Sequence, residues 1–70
     1  MSKYRPLWEY IKQNGTDKLT FSEIQTILGF PIDHSLLNYK KELEEYGYQV
    51  KKISMKEQVI LFHAYESGKD

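Results

Sequence analysis

The sequence predicts a small α+β domain, with helices first and a β-hairpin last. Apolar residues recur at three- and four-residue spacing from Tyr4 to Tyr46, the period of helices packed on one side. After Gly47 the pattern changes to alternation, the period of strands. Gly15, Gly29 and Gly47 stand where each helical stretch runs out, as left-handed helix terminators do.

Tyr4, Leu7, Trp8 and Ile11 share one stripe of a first helix, which Pro6 helps to start and Asn14-Gly15 ends. Thr16 to Leu19 then forms a turn leading into a short extended piece. Thr20-Phe21-Ser22-Glu23 reads as a capping box, in which Thr20 covers the amide of Glu23 and the Glu23 carboxylate reaches back. Phe21, Ile24, Ile27 and Leu28 carry the short second helix to Gly29. Past Phe30-Pro31, Asp33 is expected to cap a third helix, with Ile32 stapled onto Leu37.

That third helix is expected to run unbroken to Gly47, with Leu36, Tyr39, Leu43 and Tyr46 packed. His34, Asn38, Lys41 and Glu45 fall on its free side. Tyr48 and Val50 alternate, and Ile53 and Met55 alternate in shifted phase, so a bulge or change of facing is predicted at Lys51-Lys52. Val59-Ile60-Leu61-Phe62 supplies the second hairpin strand, reached through a turn near Lys56-Glu57. Leu28, Leu36, Leu43, Ile53 and Leu61 are predicted to be buried, while Tyr10 and Tyr48 are expected to show exposed rings.

The order helix, short strand, helix, helix, hairpin is that of a winged helix-turn-helix. The early strand would join the hairpin in a small antiparallel sheet, and Gly29-Phe30-Pro31-Ile32 would form the corner. No repeat or linker divides the chain, so a single domain over 1–70 is expected, with a short frayed tail at about 65–70.

Seventy residues with 40% hydrophobic content suffice for one core and not for two. With no cysteine, neither disulfides nor thiolate-bound metal can reinforce that core. The opening Met1 to Pro6 lacks the apolar run of a signal peptide, and no stretch approaches the roughly 20 apolar residues that cross a bilayer. A cytoplasmic location without a membrane partner is the expectation, in a bacterium or its phage.

Leu19-Thr20-Phe21-Ser22-Glu23-Ile24, Ile27-Leu28-Gly29-Phe30-Pro31, Ser35 and Gly47-Tyr48-Gln49-Val50 together resemble a family of short bacterial proteins classed as a domain of unknown function. The likeness extends to the opening Tyr4-Arg5-Pro6-Leu7-Trp8-Glu9-Tyr10 and covers nearly the whole chain. Many members carry an arginine and paired tryptophans in the third helix, where this chain has Lys40-Lys41-Glu42-Leu43. The resemblance implies a compact, winged-helix-like domain of this length.

Two histidines, no cysteine, scattered acids and no Gly-rich phosphate loop give no constellation for catalysis, so no catalytic, cofactor or metal site is expected. A non-catalytic binding module is the expectation. The free side of the third helix, with His34, Ser35, Asn38 and Lys41, offers groups for base edges and phosphates, and the hairpin adds Lys51, Lys52 and Lys56. Double-stranded DNA is therefore the first expected partner, in a transcriptional or mobile-element setting.

Charge complicates that expectation. Ten basic residues balance ten acidic ones, and Glu42 and Glu45 beside a reading face would repel phosphate. The balance is uneven along the chain, with three basic residues against one acidic from Tyr48 to Ala64. The alternative partner is a protein, with the chain acting as a small inhibitor or adaptor. A homodimer is also compatible, through the edge of the Val59–Phe62 strand.

Overall fold

Pro6 in the first turn and a left-handed Gly15 (φ 60°) bound the first helix, α1 (Arg5–Asn14), whose Leu7, Trp8 and Ile11 are buried. The computed structural model describes residues 3–65. After α1 follow β1 (Lys18–Thr20), α2 (Phe21–Leu28), α3 (Ser35–Tyr39), a 3-10 segment (Lys40–Tyr46), β2 (Tyr48–Ser54) and β3 (Val59–Ala64). The molecule is a small α+β domain with a three-stranded antiparallel sheet. No helix among the described residues is long and apolar enough to cross a membrane.

The capping box forms as expected: the Glu23 amide donates to Thr20 Oγ1 at 3.0 Å and the Thr20 amide to Glu23 Oε1 at 2.8 Å. Two orphan donors at the start of α2 are thereby satisfied. Gly29 closes α2 in the left-handed region (φ 85°), sending the chain into the Phe30–Asp33 corner.

The sheet order is β1-β3-β2, with both pairings antiparallel, so the early strand does join the hairpin. Leu19 opposes Ile60, Ile53 opposes Ile60 from the other side, and Val50 opposes Phe62. These side chains face the helices and merge with Tyr4, Leu7, Trp8, Ile11, Ile24, Leu36 and Leu43 in one core. The register slips between Val50 and Lys52, which is the predicted bulge. Tyr65 is tied back by its amide to the Gly47 carbonyl at 2.8 Å. The rest of the expected frayed tail, 66–70, lies outside the described residues.

The third helix departs from expectation. It is α-helical only over Ser35–Tyr39 and then winds tighter, as a 3-10 segment, to a left-handed Gly47 (φ 89°). At three residues per turn, Leu43 and Tyr46 stay in line, and Leu43 is fully buried. Tyr39, expected in the packed stripe, sets its ring 5.8 Å from that of the buried Tyr4 but stays 41% exposed. Trp8 anchors the tightened stretch by donating its indole N–H to Glu42 Oε1 at 3.0 Å.

Asp33 caps the start of α3 as expected: its Oδ1 accepts the Ser35 amide at 2.9 Å and its carbonyl the Leu36 amide at 3.2 Å, while His34, already in the helical region, makes no side-chain capping bond. The Ile32–Leu37 staple does not close. Leu37 is 53% exposed, and both residues line an open groove.

Of the five residues predicted to be buried, Leu36 and Leu43 are, whereas Leu28, Ile53 and Leu61 are only half-buried. Val59-Ile60-Leu61-Phe62 is a run of four apolar residues and carries no phase. The register assigns Ile60 to the core and turns Leu61 to the outer face. Leu28, the last residue of α2, packs at the rim of the core, and Ile53 opens onto the groove. Tyr10 is exposed as expected, and Tyr48 is half-buried.

Candidate nucleic-acid interface

Cross-strand partners share a face of a sheet, so the register sorts the polar side chains. With Leu19, Val50, Ile53, Ile60 and Phe62 facing the helices, Lys18 opposes Leu61 on the outer face, and Lys52 opposes Leu61 from the other side. The bulge adds Lys51, so that Lys51 and Lys52 together oppose the single Leu61. All three lysines are exposed.

Beside this row, His63 opposes Gln49. The His63 Nε2 and Gln49 Oε1 atoms are 2.9 Å apart, and Gln49 Nε2 donates to Glu44 Oε2 at 3.3 Å. This polar chain links the outer face to the 3-10 segment and occupies Glu44.

The strands contain no acid. Lys-Leu-Thr, Tyr-Gln-Val-Lys-Lys-Ile-Ser and Val-Ile-Leu-Phe-His-Ala hold three lysines and neither Asp nor Glu. A chain that is neutral overall therefore divides into a sheet of charge +3, with His63 neutral, and a remainder of −3. The ion pairs seen among the described residues, Lys3–Asp33 at 3.5 Å and Arg5–Glu9 at 2.8 Å, leave all three strand lysines unpaired.

The seven residues expected to form a DNA-binding face fall into separate surroundings. Ser35 is committed to the fold. Its Oγ donates to Asp33 Oδ1 at 2.5 Å, and both atoms lie within hydrogen-bond distance of the buried Tyr4 hydroxyl. The Ser35 hydroxyl and then its amide, with Tyr4 and Lys3 beyond them, hold the Asp33 carboxyl down at about 2, from an ordinary 3.8.

His34 is exposed on the rim of the groove. Asn38 is exposed on α3. Lys41 lies with Lys40, Glu44, Gln49 and Val50 along the β2 edge. Lys51 and Lys52 sit at the bulge, and Lys56 is exposed in the turn that joins β2 to β3. Glu42, feared as a repulsive neighbour, turns its carboxylate toward α1 and Trp8.

The sequence reading missed two features. Lys18 joins Lys51 and Lys52 only through strand register, and no local pattern pairs position 18 with position 61. The second is the groove of about 450 Å³ between the start of α2, the start of α3 and the hairpin tip, lined by Phe21, Ile32, Leu36, Leu37, Ile53 and Met55. Its rim carries two strongly exposed apolar side chains, Leu37 at 53% and Met55 at 74%. Adjacent Leu36-Leu37 and the phase shift at Ile53-Met55 were its available signals.

Among the described residues no three His, Asp or Glu side chains gather as metal ligands would. No protein-family model, no curated protein and no solved structure matches the chain.

Proposed function

We propose that this chain is a winged-helix domain acting as a non-catalytic binding module for double-stranded DNA, with the β2–β3 hairpin as its wing. The observation that carries the reading is the segregation of charge: a neutral chain whose strands hold three unpaired lysines and no acid. Phosphate contacts from lysine supply the sequence-independent part of duplex affinity, and a local surplus suffices where the contact is local. The bond from Trp8 to Glu42 supports the reading further, because it draws a carboxylate away from the hairpin side.

The test is the salt dependence of duplex binding. Each phosphate neutralised contributes about 0.9 to the slope of log affinity against log salt, so replacing Lys51 and Lys52 by alanine lowers the slope by about 1.8. A parent protein that binds no duplex at 20–50 mM salt, or a double variant that keeps the parent slope, overturns the reading.

The groove favours a second reading, a protein partner that seats aliphatic side chains between Leu37 and Met55. An amphipathic helix is the occupant that such a short apolar groove fits. Failure of the duplex assay, with an amphipathic helical peptide protecting Met55 from oxidation, would move the conclusion to this reading.

A further inference from the structure

Resting on the DNA reading, we infer that the outer face of the sheet, and not the α3 surface, meets the duplex, and that it does so without regard to base sequence. Lys18 is the residue that assigns the face. It belongs to β1, outside the hairpin, yet stands opposite Leu61 with Lys52 on the far side. Strands lie about 4.8 Å apart, so the backbones of Lys18 and Lys52 are separated by about 10 Å, with Leu61 between them. Long flexible stems on either side of a half-buried leucine let their ammonium groups reach separate phosphates.

The rest of the face matches the same ligand. Gln49, His63, Thr20 and Ser54 supply further hydrogen-bonding groups, and the strand residues include no carboxylate to repel a phosphate. Among the strand residues no Phe, Tyr or Trp lies on this face, because Tyr48 and Phe62 face the helices; Tyr65, just past β3 and in phase with Leu61 and His63, is half-buried. A single strand would therefore find no run of exposed rings to stack on. Leu61 is half-buried and Val59 is closed off between Thr20 and Ser54, so the face also offers a bilayer no fully exposed apolar side chain to insert.

Base reading is absent for a reason visible in the fold. Ser35 is held by Asp33 and Tyr4, and His34 borders the groove on the helix side of the sheet. On the outer face Gln49 and His63 are bonded to each other, and Gln49 also to Glu44, which leaves the ammonium groups of Lys18, Lys51 and Lys52 to position a duplex without distinguishing its bases.

The experiment measures duplex affinity against salt for Lys18→Ala, Lys12→Ala and Asn38→Ala, on two duplexes of unrelated sequence. Lys18→Ala is expected to lower the slope by about 0.9 on both duplexes alike. Lys12→Ala, on α1 across the core from this face, and Asn38→Ala are expected to leave slope and affinity unchanged. Thermal melts check that each variant is folded, and Lys18→Arg is expected to restore the parent slope.

If Lys18→Ala keeps the parent slope while the Lys51/Lys52 variant loses its share, the outer face is refuted and the hairpin reading survives. A slope loss for Lys12→Ala equal to that for Lys18→Ala refutes the face as well, because net charge alone would then account for both. A preference between the duplexes that Asn38→Ala abolishes overturns the claim of sequence independence. Absence of duplex binding by the parent removes the DNA reading itself.

Discussion

Gln58 holds the left-handed conformation, at φ 57°, in the turn between β2 and β3. A side chain there costs about 1 to 2 kcal/mol through contact between Cβ and the following carbonyl. Glycine escapes that contact but loses about 0.5 to 1 kcal/mol more backbone entropy on folding. Gln58→Gly should therefore stabilise the domain by up to about 1.5 kcal/mol, with a midpoint of about 0.7 kcal/mol.

Nothing else is expected to change, because the contact Gln58 makes to α2 is through its backbone. Its carbonyl accepts the Phe21 amide at 2.8 Å and survives the substitution. For a domain of this size, 1 kcal/mol corresponds to about 4 to 8 °C in Tm. Gln58→Ala keeps the Cβ and should melt close to the parent, whereas the β-branched Gln58→Val should lose about 1 kcal/mol. Thermal and urea unfolding of the three variants measure the series, and a glycine variant melting below the parent would refute the strain argument.

Leu43→Ala removes a fully buried side chain from the centre of the core and is expected to cost about 2 to 5 kcal/mol, read as a lower urea midpoint; a curve that overlays the parent would be incompatible with this packing. Trp8→Phe keeps a buried aromatic ring but removes the indole N–H bonded to Glu42 and leaves a cavity, and should cost at least about 1.5 to 3 kcal/mol with loss of order in the 3-10 segment by hydrogen exchange. Asp33 has a depressed folded-state pKa, so its contribution to stability is present above 3.8 and is lost as pH falls toward 2. The parent should lose more stability than Asp33→Asn over that interval, and parallel losses would show that the Ser35 contacts do not hold the charge.

Much of the helical part was legible, because its signals are local. Thr20 and Glu23 are three residues apart, and Gly29 and Gly47 follow directly on Leu28 and Tyr46. The bulge was legible for a similar reason, since Val50 and Ile53 break an even alternation within one strand. What could not be read depended on distant partners. The tightening after Tyr39 places Glu42 within reach of Trp8, a contact spanning 34 positions. Leu61 faces outward because of where Leu19 and Ile53 pair with Ile60. The candidate site followed the same division: Lys51 and Lys52 were found as neighbours in sequence, whereas Lys18 required the sheet, and Ser35 looked free until Tyr4 folded against it.

The sheet order has a consequence for how the chain is made. The strand at its centre, β3, is the last of the three to be synthesised, and β1 and β2 do not pair with each other. Until Val59–Ala64 emerges, neither earlier strand has a ladder to join, and the apolar faces of Leu19, Val50 and Ile53 have no sheet to complete. With helices too short to persist alone, the nascent domain therefore gains its tertiary structure in one late step. A stop codon anywhere before Val59 would thus leave no sheet at all, and not merely a shortened one.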